Sequence, residues 1–158
     1  MKRTLSLAAT ACLMALVARS VTAADFAIGA EAYDSGDYAA AYGEWITLAR
    51  DGHAGAQIAI ANMYRQGEGR RPDPAKAARW YRLAARAGNL VAQINLAELY
   101  ELGAWVNRNL PLAWAWYDRA AASGHQWGRK QAARLAAEMP AGALREGRRL
   151  RRLPLSRQ

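Results

Sequence analysis

Much of the segment 54–88 returns 36 positions later in the chain. Shifted by that period, Ala56, Gln57, Ile60, Tyr64, Gly67, Ala77, Trp80, Tyr81, Ala84, Ala85 and Gly88 fall on Ala92, Gln93, Leu96, Tyr100, Gly103, Ala113, Trp116, Tyr117, Ala120, Ala121 and Gly124. A unit of this size cannot bury its own apolar face and has to stack on its neighbours, so the period fixes the architecture before it says anything about function. The content of 53% hydrophobic and 22% charged residues agrees with a globular array rather than a disordered tail.

Punctuation in the same register places the helices. Asp37, Asp73 and Asn109 each precede an Ala-rich segment, and Asp and Asn side chains accept from the unpaired N–H groups that open a helix. Pro74 suits a first helical position, where no N–H is needed. Gly52, Gly88 and Gly124 sit where a left-handed residue ends a helix. Ala41, Ala77 and Ala113, with Ala49, Ala85 and Ala121, form a small-residue stripe for close approach, and Trp45, Tyr81 and Tyr117 fill the space between helix pairs. Gly36-Asp37 makes a tight turn, whereas its counterpart from Gly67 to Asp73 is extended. The spacing predicts an all-α chain of antiparallel helix pairs.

The segment A-Q-I-A-I-A-N-M-Y-R-Q-G-E-G-R-R-P-D-P-A-K-A-A-R-W-Y-R-L-A-A-R-A-G resembles the Sel1-like repeat, a relative of the tetratricopeptide repeat. The resemblance covers full units at about 54–88 and 90–124, with a shorter, tetratricopeptide-like pair at 26–52 and the first helix of a last unit at 126–139. It implies a right-handed α-solenoid that binds a protein or peptide partner in a concave groove, as an adaptor or regulator without a cofactor. Arg70 stands where the family has Val, and Trp105 where it has a second Gly, so the turn at Trp105 differs. The family also includes β-lactam-binding members. They resemble disulfide-rich arrays, whereas this chain lacks a Ser-x-x-Lys motif and its single cysteine, Cys12, lies near the start.

That start reads as a secretory leader over 1–24: Lys2 and Arg3, an apolar run from Leu5 to Ala18, then small residues at 21–24. The run falls short of the ~18 to 20 residues that span a bilayer, which makes an uncleaved inner-membrane anchor the alternative to a periplasmic or secreted protein. The repeat domain then occupies 25–139 and a basic capping helix and tail 140–158. Without residues 1–24 the chain carries 19 basic and 13 acidic residues, a formal charge of +6, unevenly spread: residues 25–51 are net −5 and residues 129–158 net +7. Leu144, Leu150 and Leu153 among arginines predict an amphipathic helix that shields the end of the solenoid, weakened by Gly142 and Gly147. Arg145, Arg148, Arg149, Arg151 and Arg152 offer an alternative role, attraction to an anionic lipid or polysaccharide surface. Nucleic acid is not an expected partner, because the acidic first unit interrupts any continuous basic groove.

Catalytic constellations are not evident. His53 and His125 occupy equivalent turn positions two repeats apart, too far to share a metal, and read as turn histidines without a role. Ser123 near His125 lacks an orienting acid. Glu98 and Glu101 lie one helical turn apart, as on any solvated acidic face, and Gly67-Glu68-Gly69 lacks the lysine and the preceding strand of a phosphate loop. A cell-wall or β-lactam-acting enzyme is therefore the weakest alternative.

In repeats of this kind first helices line the groove. One position read across three units gives Asn62, Glu98 and Arg134, with Ala59, Asn95 and Gln131 beside it, which predicts exposed polar columns suited to an extended peptide or a partner helix. Trp105, Trp114 and Trp127 are large where the pattern asks for smaller residues, since Gly69, Ala78 and Val91 are their period-mates. They either form a partner-binding patch or pack under the C-terminal helix. If the leader reading holds, intact-mass analysis of the protein purified from its native host will find a mature chain beginning at Ala24 or Asp25, and retention of residues 1–24 will instead identify an anchor.

Overall fold

The computed structural model describes residues 26–103 and 106–154. The leader reading over 1–24 and Trp105 both fall outside the described residues. Eight helices follow one another: α1 (26–34), α2 (Tyr38–Arg50), α3 (Ala54–Gln66), α4 (Pro74–Arg86), α5 (Leu90–Leu102), α6 (Leu110–Ala122), α7 (Gln126–Glu138) and α8 (Ala141–Arg152), with no strand among the described residues. α3 packs on α4 and α5 on α6, and neighbouring pairs join through α4 with α5 and α6 with α7, the stacking of an all-α solenoid of helix pairs.

Local chemistry sets each helix start. Asp37, Asp73 and Asn109 accept from the backbone N–H of Ala40, Lys76 and Leu112 at 2.9, 3.0 and 2.9 Å, as their period predicts. His53, Asn89 and His125 do the same for α3, α5 and α7, accepting from Ala56, Ala92 and Gly128 at 3.1 Å each. The two histidines therefore have a role that the sequence reading denied them: neutral Nδ1 is an acceptor, and it substitutes for the Asn oxygen at the same repeat position. Gly52, Gly88 and Gly124 take φ of 94°, 91° and 91°, where an L side chain would be strained.

Packing repeats with the same period. Ala41, Ala49, Ala77, Ala85 and Ala113 are buried, as are Trp45, Tyr81 and Tyr117, while Ala121 is only half-buried. Gln57 and Gln93 are buried polar residues with a shared task. Their Nε2 atoms donate to the carbonyls of Ala49 and Ala85 at 3.0 and 3.2 Å, adding a second donor to carbonyls that already accept from Gly52 and Gly88 N–H and tying each first helix to the end of the helix before it. At the N-terminal end, Phe26 stacks on Trp45 with centroids 5.6 Å apart, and the Trp45 indole donates to the Phe26 carbonyl at 3.1 Å.

The capping helix packs chiefly against α6. Leu144 and Leu150 rest on the core, and Trp114 is only 9% exposed beneath the helix, so of the two roles open to this tryptophan the structure assigns packing. A Cβ on Gly147 would lie 2.9 Å from Trp114 Cε3 and 3.1 Å from the Pro111 carbonyl oxygen. This glycine is thus a condition of docking, not the weakness its helix propensity predicts. Arg119 of α6 donates to the carbonyls of Arg151 and Leu153 at 2.7 and 2.9 Å, placing positive charge at the C-terminal end of α8, and Arg151 pairs with Asp118 at 3.0 Å. Gly147→Ala is accordingly expected to lower stability by about 1–3 kcal/mol. Gly43→Ala, at an exposed mid-helix position with no atom within 4 Å of the added Cβ, is expected to raise it by about 0.5–1 kcal/mol. Urea unfolding of the two variants beside the parent chain checks both signs.

Candidate functional site on the first-helix face

Helices α5 and α7, one repeat apart, turn charged and aromatic side chains toward each other. Glu98, Glu101 and Leu102 from α5, Trp127, Gln131 and Arg134 from α7, and Tyr117 from α6 line a cavity of about 300 Å³. The floor is an ordered network. Arg134 bridges to Glu101, to Glu138 at 2.9 Å and to the Gln131 amide oxygen at 2.8 Å. The Tyr117 hydroxyl donates to the other Glu101 oxygen at 3.0 Å. Burial, reinforced by the Glu101 and Glu98 charges and the Glu101 hydrogen bond, pushes the Tyr117 phenol far above its ordinary value, so it stays a neutral donor. The hydrogen bond to Glu101 likewise raises Arg134 and keeps it charged.

The Arg134–Glu101 pair spans 33 residues and links successive first helices. The same offset relates Arg65 to Glu98, whose carboxyl feels the Arg65 charge. One ion pair and one longer-range attraction between opposite charges thus follow this face across three first helices. The sequence reading grouped Asn62, Glu98 and Arg134 by a 36-residue column and missed this diagonal, although the opposite charges at 65/98 and 101/134 are visible in the chain.

The predicted columns are consequently less exposed than expected. Asn62 is half-buried and accepts from the Tyr81 hydroxyl. Gln131 is buried at 8% exposure, against the expectation of an open polar position, because Arg134 folds back over it. Ala59 and Glu98 are half-buried. Trp114 belongs to the α6–α8 contact and not to this site. Trp127 does belong: it is 48% exposed, with Leu102 at 72% across the cavity and the Lys130 ammonium 5.9 Å from its ring. Its period-mate Val91 is exposed as well. Of the arginines in α8, Arg151 is engaged with Asp118 and Arg149 with Glu146 at 2.9 Å, whereas Arg145, Arg148 and Arg152 are exposed.

What this arrangement offers is recognition: two exposed apolar side chains flank a floor whose charges largely neutralise one another. Among the described residues no group of three or more His, Cys, Asp or Glu could hold a metal ion, and no helix is long and apolar enough to cross a membrane.

Comparison with known proteins places the scaffold. Residues 54–89 and 90–125 each match the Sel1 repeat. The chain carries two Sel1 repeats. The cavity lies at the second of these and its boundary with α7. The chain is similar over 82% of its length, at 28% identity and a TM-score of 0.75, to a protective antigen with an SLR fold present in uropathogenic Escherichia coli strains. It is similar over 79% of its length, at 29% identity and a TM-score of 0.67, to a Sel1 repeat protein from Oxalobacter formigenes. It spans 29% and 54% of those two chains. No curated protein matches it. Sel1 repeat proteins are in general protein-interaction modules, and the Sel1 and tetratricopeptide-like families are typically non-catalytic.

Glu98 offers a test of the site's electrostatics. Burial is the main cause that raises its pKa, Glu101 adds to the rise, and Arg65 and a hydrogen bond from the Trp127 side chain oppose it. The folded protein therefore holds this proton more tightly than the unfolded chain, so stability falls as pH rises from the ordinary carboxylate value through the raised one. Glu98→Gln is expected to raise the melting temperature modestly at neutral pH and to give no advantage below the ordinary carboxylate range. Thermal unfolding across that range measures it.

Proposed function

We propose that this chain is a non-enzymatic adaptor or regulator that holds a protein or peptide partner in the α5–α7 cavity of the first-helix face, and that it acts in the periplasm after removal of residues 1–24. The observation that carries the reading is the pair of exposed apolar side chains, Trp127 and Leu102, set around a pre-ordered network of Glu98, Glu101 and Arg134. Tryptophan is the side chain most often found as an energetic anchor in interfaces, and a floor that is already hydrogen-bonded loses little freedom when a partner arrives. Asn62, Asn95 and Gln131 support this surface by fixing Tyr81 and Arg134 rather than by meeting the partner themselves. The general role of Sel1 repeats as interaction modules favours the same reading.

A second reading has one observation behind it. Arg145, Arg148 and Arg152 are exposed in α8, a helix that presents cationic charge toward solvent and suits an anionic lipid or polysaccharide surface. A photoreactive amino acid placed at position 127, at 102 or at 148 and activated in the native host separates the two. The expected result is a discrete protein adduct from 127 and 102 and none from 148, and Arg134→Ala is expected to reduce that adduct. Protein adducts confined to 148, with lipid-vesicle binding lost on replacing Arg145, Arg148 and Arg152 by glutamine, would transfer the function to α8.

A further inference from the structure

The opposite, second-helix face holds another groove with the reverse chemistry. About 330 Å³ opens among α2, α3 and α4, walled by Tyr42, Tyr64 and Trp80 and ringed by Arg50, Lys76 and Arg79. Tyr64 and Trp80 border both hydrophobic clusters of the molecule, so the groove marks the seam between the N-terminal helix pair and the first Sel1 repeat. The two tyrosines meet edge to face at 6.1 Å, with their hydroxyls 3.1 Å apart and hydrogen-bonded to each other.

Arg70 does not line the groove but supports its Tyr42 wall. Its guanidinium lies 3.1 Å from the centroid of the Tyr42 ring and 5.2 Å from that of Tyr64, and its Nε is buried without a hydrogen-bond partner. One period on, the next repeat has Val106, so a cation stands here where the neighbouring unit has an apolar residue. None of the residues lining the groove is acidic. Asp73, at the start of α4, pairs with Lys76 at 3.0 Å but leaves that lysine more than half exposed. Arg50 and Arg79 are exposed beside the aromatic wall, and Leu83 at its edge is 46% exposed.

We propose that this groove is a second binding site, for an acidic peptide segment that bears an aromatic or large apolar side chain. Its carboxylates would meet Arg50, Lys76 and Arg79, while the apolar side chain lies between Trp80, Tyr64 and Leu83. The wall chemistry favours a peptide over an anionic sugar. Sugar hydroxyls need acceptors, and this lining has neither carboxylate nor amide side chains, while its two tyrosine hydroxyls already engage one another. The site does not depend on the α5–α7 cavity, which lies on the other face. A chain that binds at both would bridge two partners or two segments of one.

The test uses the full chain and the acetylated peptide Glu-Glu-Phe-Glu-Glu, titrated calorimetrically at low salt, with the peptide carrying Ala in place of Phe as a comparison. The expected result is binding that weakens with added salt, is stronger for the Phe peptide, and falls by about tenfold or more when Arg50→Gln and Arg79→Gln are combined. Both arginines are exposed, so circular dichroism of that variant should match the parent. Trp127→Ala is expected to leave this binding unchanged, which keeps its outcome separate from that of the α5–α7 site. The proposal is overturned by any of four results: no peptide binding, equal binding of the two peptides, binding unaffected by the double substitution, or binding lost instead through Arg148→Gln with Arg152→Gln. Tighter binding of an oligouronate than of the peptide would also overturn it.

Discussion

Close approach between helix pairs is the constraint on which the rest of this molecule rests. Alanine at 41, 77 and 113 removes side-chain bulk from one line through the stack, and the buried rings of Trp45, Tyr81 and Tyr117 fill what remains. At the helix ends the amides of Gln57 and Gln93 reach the carbonyls of Ala49 and Ala85, beside the backbone N–H groups of Gly52 and Gly88 that also reach them. Apolar burial supplies the favourable free energy, and the glutamine ties select the register in which it is collected. A helix pair displaced by one turn would leave the buried amides of Gln57 and Gln93 without their acceptors.

That fixed stack creates two unlike faces. Along the first helices, residues one turn out of register between repeats meet as opposite charges, Arg65 near Glu98 and Arg134 on Glu101. Much of the polarity on this face is therefore consumed internally, and exposed apolar groups such as Trp127 and Leu102 supply what is left for a partner. Along the second helices, cations gather around tyrosine and tryptophan rings with few carboxylates to neutralise them. Partly exposed ion pairs contribute little each to stability, so the ladder matters more for holding side chains in place than for holding the fold together.

Periodic features were legible in the sequence because one chemical need recurs at one spacing. The caps at Asp37, Asp73 and Asn109, the glycines at 52, 88 and 124, and the alanine stripe all follow from that. The other cap series escaped because His53 and His125 do not look like Asn89, although all three present an acceptor to the third residue on. Side-chain exposure was less legible. Gln131 and Asn62 belong to positions that face outward by helical phase, yet a folded-back arginine covers one and a phenol from the next helix occupies the other. Such contacts run between helices, and a period of 36 does not encode a diagonal of 33. Gly147 shows the same limit: judged within its own helix it is a poor choice, and only the ring of Trp114 beneath it gives the reason.

The way α8 lies on α6 also decides what the last described second helix leaves open for stacking. A solenoid of identical units has no intrinsic length, because each new pair presents the surface that the next one needs. Here the last second-helix surface, with Trp114 at its centre, is taken by a helix whose other residues include five arginines, Arg119 clamps its C-terminal carbonyls, and Gly147 lets it sit down tightly. The two similar solved structures are longer chains, of which this one spans 29% and 54%. Like-charged caps on two copies repel, so the same helix that closes the core also discourages copies from joining end to end through it.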